Sequence, residues 1–215
     1  MLKQNSETFI GITLVSQLLY RLLHQAPTNE FLSLLYDEQL FSDWPLELNN
    51  NTLQQGLSLL AERPNLSAIN NDFAALFIGP NKLKAAPWAS VYLNEEQITF
   101  GEQTLAIREF YTQFGVAIDT GEREPEDHIG LIFSFIAHLC ELTAQQFDTN
   151  ENTQVCPITT FLTDHVLTWA PRMLQTMKQN ADTPYYQGIA LVAEGTLRQL
   201  AQLVNAQYLI VTLHR

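Results

Sequence analysis

Cysteine is nearly missing from this chain: Cys140 and Cys156 are the only two among 215 residues. Two cysteines without CxxC spacing exclude a disulfide framework, and Cys140, on the apolar face of a helix, reads as a small core residue. Positive charge is scarce too. Eleven Lys and Arg stand against 23 Asp and Glu, for a net charge of −12. Phosphate backbones are neutralised by Lys and Arg, so nucleic acid is excluded as a partner, and an anionic membrane surface repels such a chain. A basic partner, or a partner segment rich in arginine, is its natural complement. No apolar run reaches the roughly 18 residues that a membrane span needs. Only Lys3 precedes the apolar stretch Phe9–Leu23, polar residues from Thr13 to Arg21 interrupt it, and no small-residue cleavage site follows, unlike a signal peptide. The expectation is a cytoplasmic protein with no direct membrane insertion.

Motifs of catalysis are also missing. There is no GxSxG nucleophile elbow and no Gly-rich loop of the P-loop or dinucleotide type. Asp127, His128, His138 and Cys140 lie near one another in sequence, but His128 and His138 are about three helical turns apart, roughly 15 Å along an axis. One metal ion cannot bridge that distance. Asp127 and His128 could form an acid/base pair, with no nucleophile motif beside them. The expectation is no enzyme, no metal and no cofactor.

What the chain has is helical periodicity. Apolar residues make up 46% and charged residues 16%, a globular balance in a length that buries a sizeable core as a single domain, 1–215. Phe9, Ile12, Val15, Leu19, Leu22 and Leu23 mark a first helix over 6–25. Further helices are expected over 29–36, around 53–60 and over 67–78, where Gly79-Pro80 stops the last of them. Residues 79–103 form one long central loop, a length usually kept for function, with room for a small hairpin over 91–100. Helices then follow over 104–114, 125–147, 157–179 with an interruption at Pro171, and 184–205 behind the cap Thr183. The fold class read from this pattern is all-α, a single-domain helical bundle whose loop separates two groups of helices.

The densest chemistry sits at Glu124-Pro125-Glu126-Asp127-His128, just before the apolar run that starts at Ile129. Proline at a first helical position loses no hydrogen bond, and Glu126 and Asp127 in a first turn would suit the helix dipole. A well-capped helix start is the plain reading. The company of this motif points further. In order the chain carries Leu76-Phe77-Ile78-Gly79-Pro80, Pro87-Trp88-Ala89-Ser90-Val91-Tyr92, Phe100-Gly101, the Glu124–His128 motif, His165-Val166-Leu167-Thr168-Trp169 and Thr183-Pro184-Tyr185-Tyr186.

That series resembles the TorD/DmsD family of redox-enzyme maturation chaperones, over roughly residues 66–205, and its loop wording is nearest the DmsD branch. The resemblance implies an all-helical fold and no enzymatic reaction. It implies binding of the twin-arginine signal peptide of a molybdopterin oxidoreductase catalytic subunit, with dimethyl sulfoxide reductase the first client in view. The subunit is held in the cytoplasm until its cofactor is inserted and is then released to the twin-arginine translocase. The leader-binding residues carry over as Leu76, Phe77, Pro87, Trp88, Gly101, Pro125, Asp127 and His128. Phe73 stands where relatives often have tryptophan, and Asn81 replaces the aromatic residue that DmsD-like sequences place after Gly-Pro. A monomer is the simpler expectation, and the long loop offers a route to domain swapping.

Physical reasoning agrees with the resemblance. A leader with two arginines and an apolar segment needs carboxylates beside an apolar groove. Glu124, Glu126 and Asp127 are the candidate carboxylates, with Asp127 first, because a guanidinium pairs two-pronged with a carboxylate. Leu76, Phe77 and Trp88 are the candidate apolar surface, although ordinary core packing explains the first two equally well. Gly101 would serve backbone conformation or close approach. His128 either fixes the groove through a hydrogen bond or contacts the leader, in which case its titration would make binding pH-sensitive. Two further readings stay open: a NarJ-type assembly protein gripping a client's mature domain, and an enzyme or nucleotide binder using Asp127 and His128.

Overall fold

In the computed structural model, residues 3–46, 50–118, 124–149 and 155–215 are described. Helix α1 (Ser6–His24) lies along α7 (Ile129–Asp148), and this pair is the spine of the molecule. Asn5 caps α1 by accepting from the Thr8 N–H at 2.8 Å. The face of α1 that carries Phe9, Ile12, Val15, Leu19 and Leu23 is buried, as its spacing requires. On α7 the buried positions run almost all round the helix, so α7 is enclosed by its neighbours rather than laid on a surface.

Around that spine pack α2 (Asn29–Asp37), α3 (Asn51–Leu59), α4 (Leu66–Phe73), α5 (Ala89–Leu93), α6 (Glu102–Gln113), α8 (Cys156–Phe161), α9 (Ala170–Asn180) and α10 (Pro184–Val204). The all-α reading holds: among the described residues no strand forms, and a single antiparallel bridge joins Trp88 to His128. One contiguous core collects side chains from every helix, including the fully buried Cys140, whose thiol is pushed up by burial. Phe135 of α7 centres an aromatic cluster, 4.3 Å from Tyr111 of α6 and 4.8 Å from Phe161 of α8 between ring centroids.

Three local differences from the sequence pattern have physical reasons. No hairpin forms over 91–100; α5 occupies its first residues, because Ala89-Ser90-Val91-Tyr92-Leu93 buries Ala89 and Tyr92 on one side. The helix expected over 67–78 ends in a π-helical turn, Ala74–Ile78, and the loop returns to cap it: the Lys84 and Ala85 N–H groups donate to the Ala75 and Leu76 carbonyls at 3.0 and 3.2 Å. The helix expected over 157–179 divides at Trp169, and Pro171 falls in the first turn of α9, where its missing N–H costs nothing.

A buried carboxylate ties the two helix groups together. Asp72 of α4 is 2% exposed and accepts from the Asp182 and Thr183 N–H groups and the Thr183 hydroxyl at 3.1, 2.9 and 2.6 Å, fixing the start of α10. Along α10, α3 crosses so closely that a Cβ on Gly56 would lie 2.8 Å from the Val192 nitrogen and 2.9 Å from the Gly188 carbonyl. An alanine there gains up to about 1 kcal/mol of helix propensity. Against this, the contacts are with backbone and cannot swing aside. Gly56→Ala is therefore expected to lower stability by about 1–3 kcal/mol, read from urea denaturation midpoints; a stabilised variant would show that the crossing has slack.

Candidate functional site

The loop and the acidic motif meet. Residues 87–89 run antiparallel to 127–129: the Ile129 N–H donates to the Pro87 carbonyl at 2.8 Å, and the Ala89 N–H to the Asp127 carbonyl at 3.2 Å. α7 begins only at Ile129, after a turn in which the His128 N–H donates to the Pro125 carbonyl at 3.1 Å. Glu126 and Asp127 thus precede the helix rather than fill its first turn, and the dipole argument for them does not apply. Proline 125 is buried under this turn.

Asp127 is 0% exposed. One carboxylate oxygen accepts from the Ser90 N–H at the start of α5, at 2.7 Å, and the other from the Thr104 hydroxyl on α6, at 3.0 Å. A guanidinium cannot reach it, which corrects its place as the first choice for arginine. It clamps the loop instead. Gly101, the N-cap of α6, has an extended backbone, so conformational freedom is not its role. A Cβ there would stand 3.1 Å from the Gln103 amide oxygen and 3.3 Å from the Asn94 amide nitrogen, both ends of flexible side chains, and at an ordinary 3.5 Å from the Ser90 Cβ, so close approach does not demand glycine either.

The neighbouring carboxylates face outward. Glu126 receives the Arg108 guanidinium two-pronged, Nε to Oε1 at 2.7 Å and Nη2 to Oε2 at 2.9 Å, with side-chain exposures of 14% and 47%. Burial pushes the Glu126 carboxyl up, but the Arg108 hydrogen bonds, a backbone hydrogen bond and the Arg108 charge together bring it below its ordinary value. Thr104 and Arg108 are four apart on α6, one above the other, so one helix face grips Asp127 and Glu126 in turn. Tyr111, a further turn along, donates to the Glu126 carbonyl at 3.2 Å. Glu124 accepts from the Trp88 indole N–H at 2.7 Å, and the indole is half-buried.

His128 is 5% exposed and serves as the N-cap of α7, its Nδ1 accepting from the Gly130 N–H at 3.0 Å. Its ring stands edge-on to His24 and to Trp88, with centroids 4.9 and 6.0 Å away. Burial, and then the nearby His24, lower its pKa to about 3. It is neutral across the physiological range, so the expectation of a leader-linked titration near its ordinary value gives way to a fixed cap.

The three apolar candidates on the helix before the loop are core residues. Leu76 is 0%, Phe77 3% and Phe73 5% exposed, and the two phenylalanines meet each other and Tyr186. They cannot receive a peptide directly. The exposed apolar groups near the loop are Ile78, Ile98 and Phe100, at 69, 50 and 54%. Asn81 is exposed. Sequence reasoning missed Arg108, Thr104 and Ser90; the four-residue spacing of Thr104 and Arg108 on one helix was the available signal. Among the described residues no group of three or more His, Cys, Asp or Glu is placed to hold a metal ion, and no helix is long and apolar enough to cross a membrane.

Two expectations follow from this geometry. Asp127→Ala leaves the Ser90 N–H and Thr104 hydroxyl buried without an acceptor, and is expected to cost about 2–4 kcal/mol; Asp127→Asn, which keeps one acceptor, should lose less in the same denaturant titration. Acid acts on His128 in one direction. The folded imidazole holds out against protonation to about pH 3, while an unfolded one takes a proton near 6.5. Its contribution is complete above pH 6.5 and is lost as pH falls towards 3, by about 1.4 kcal/mol per unit. His128→Asn keeps a cap acceptor and removes the titration, so its stability should fall with acid by about one proton less than the parent; parallel curves would mean that the buried ring does not stay neutral.

Comparison with known proteins places this geometry in a family. Residues 43–175 match the family model described as the nitrate reductase delta subunit. The chain is 32% identical over 196 residues to a probable Tat proofreading chaperone DmsD of Haemophilus influenzae, covering 89% of this chain and 91% of that one. It is 36% identical over 130 residues to the Tat proofreading chaperone DmsD of Salmonella typhi, about three fifths of either chain (60 and 59%). Against the chaperone protein TorD of Vibrio cholerae (classical O395) it is 29% identical over 179 residues, 82% of this chain and 78% of the other. A crystal structure titled as a putative redox enzyme maturation protein from Archaeoglobus fulgidus shares the fold at a TM-score of 0.52 and 16% identity, over 84% of this chain and 91% of that chain. The DmsD and TorD relatives are named as chaperones. The chain belongs to the TorD/DmsD family of redox-enzyme maturation chaperones.

Proposed function

We propose that this chaperone binds the twin-arginine signal peptide of a molybdopterin oxidoreductase catalytic subunit, dimethyl sulfoxide reductase being the first client to test. It holds that subunit in the cytoplasm until its cofactor is inserted, and then passes it to the twin-arginine translocase. One observation carries the reading: the Glu126 carboxylate, at the rim of the loop and beside the Trp88–Glu124 pair, already holds a guanidinium in the two-pronged geometry that arginine recognition uses. Arg108 stands in for a leader arginine. Exchange swaps one charged pair for another, so neither carboxylate nor guanidinium is stranded on the way. The second arginine is assigned to Glu124, and the apolar segment of the leader to Trp88 with the exposed Ile98 and Phe100. Asp127, His128, Pro87, Pro125 and Gly101 hold these groups in place without touching the peptide, and Phe73, Leu76 and Phe77 support them from the core.

The alternative of a NarJ-type grip on the mature domain is favoured by one fact, the description of the matching family model. Calorimetric titration with a synthetic twin-arginine leader separates the two. Saturable binding is expected, weakened about tenfold or more by Arg-Arg→Lys-Lys in the peptide and by Glu126→Gln in the protein. Arg108→Gln, which vacates the carboxylate, should bind as well as the parent or better. Equal losses from Arg108→Gln and Glu126→Gln would make the pair structural and move the arginine site elsewhere. A leader that does not bind, with the client subunit still co-purifying, would hand the function to the mature-domain grip.

A further inference from the structure

Beyond α10 the chain does not fray. Residues 206–215 run without helix, turn or bend, and both ends of the segment are tied down. The Gln207 N–H donates to the Thr163 hydroxyl at 3.1 Å. At the far end the His214 N–H donates to the Tyr92 carbonyl at 2.8 Å, and the Arg215 guanidinium donates to the Leu83 carbonyl. Between these anchors lies Tyr208-Leu209-Ile210-Val211-Thr212-Leu213, six residues with no glycine, proline or charge. Tyr208, Leu209, Ile210 and Val211 are 51, 47, 102 and 39% exposed. Among the described residues, none of the main-chain N–H groups from 208 to 213 donates a hydrogen bond within the chain, and none of the carbonyls accepts one. β-branched and aromatic residues with a vacant main chain are the composition of a strand that lacks its neighbour.

The charge around it is opposite to that of the protein. Four of the eleven basic residues, Arg172, Lys178, Arg198 and Arg215, gather at this segment. The first three line, together with Tyr208 to Val211, one groove of about 570 Å³. Arg198 pairs with Glu194 at 2.5 Å, and Arg172 donates to the Arg215 main-chain oxygen at 3.3 Å and to the Gln175 side-chain oxygen at 3.4 Å, whereas Lys178 has no ion-pair partner among the described residues. In a chain of net charge −12 this is a local reversal of sign.

We propose that residues 208–213 are a docking strand, which receives an extended apolar segment flanked by acidic residues from a partner polypeptide. Main-chain hydrogen bonds add the segment as a second strand, and its carboxylates meet Arg172 and Lys178. Charge selects this occupant over the others. A twin-arginine leader would bring its cations against the same cations. A second copy paired strand to strand about a two-fold axis would set the two basic rims face to face. The surface is separate from the Glu126–Arg108 pair and does not depend on the leader-binding reading.

The test uses the full-length protein and a fluorescein-labelled probe, Glu-Asp-Val-Thr-Val-Ile-Thr-Asp-Glu, with fluorescence anisotropy as the readout. A second probe has the same core between Lys-Arg flanks. Saturable binding of the acidic probe and none of the basic one is expected. Ile210→Pro, which removes a main-chain donor from a wholly exposed position, and Lys178→Glu on the rim should each weaken it about tenfold. Both variants are checked for unchanged thermal melting, since neither side chain is part of the core. Several outcomes would overturn the proposal: no binding of the acidic probe, equal binding of both probes, no effect of either variant, or displacement of the probe by a twin-arginine leader. A sedimenting dimer that Ile210→Pro dissociates would assign the strand to a second copy instead.

Discussion

The carboxylate of Asp127 organises everything around the site. It sits at full burial between the start of α5 and the inner face of α6, two helices that also share the core. A buried carboxylate without donors is expensive, and one with two donors at 2.7 and 3.0 Å is a rigid joint. Beside it residues 87–89 and 127–129 pair through the Trp88–His128 bridge, Trp88 meets Glu124 and the His128 ring, and Arg108 meets Glu126. Asp72 does the same for the other helix group at the start of α10. In both places an acid that looks like surface chemistry in a list of residues is a bolt between helices.

Acidity in this chain therefore divides by burial. Asp72 and Asp127 are inside and spend their oxygens on backbone and hydroxyl donors. Glu124 and Glu126 are at the rim and hold an indole N–H and a guanidinium. Only the second kind can exchange partners, because solvent reaches it and the outgoing group can be rehydrated as it leaves. The basic groove beside residues 208–213 lies under the opposite sign. A protein that meets an unfolded or partly folded chain at both surfaces would be reading two different segments, one basic and one acidic.

Much of this was legible in the sequence, and the limits are instructive. The helices α1 and α7 were plain from their apolar pattern and α10 also from its cap Thr183, because a long amphipathic or wholly apolar run has few other ways to bury itself, although α7 starts at Ile129 and not at Pro125. The irregular stretch 79–103 was legible from its prolines and glycine, and the acidic motif from its density of chemistry ahead of an apolar run. Burial at the level of single side chains was not legible. Asp127 and Glu126 are adjacent and chemically alike, and only the fold decides that one faces Ser90 and the other Arg108. Leu76 and Phe77 end an amphipathic helix and could have lined a groove; in the fold both lie in the core, Phe77 against Phe73 and Tyr186. For His128 the sequence left a fixing hydrogen bond and a titrating contact open, and its neighbours in space, His24 and Trp88, go with the first. The segment 206–215 escaped notice because a lone strand has no partner pattern to find.

A receptor that keeps an arginine of its own on the binding carboxylate pays a definite thermodynamic consequence. Replacing Arg108 by a leader arginine exchanges like for like, so on the proposed reading the ion pair adds only what the leader arginine gains over Arg108, about 1.4 kcal/mol for a tenfold loss in Glu126→Gln. What it adds is discrimination: lysine cannot reproduce the two parallel hydrogen bonds, and a neutral residue would strand Glu126 or leave Arg108 in place, so the wrong peptide gains nothing at this position. Affinity must then come from the apolar segment of the leader, where burial of each large side chain is worth on the order of 1.5–3 kcal/mol before ordering costs. Such a division suits a chaperone. On the proposed reading recognition would be strict, binding would be set mainly by a short apolar stretch, and release would leave the site closed on Arg108 rather than open and charged.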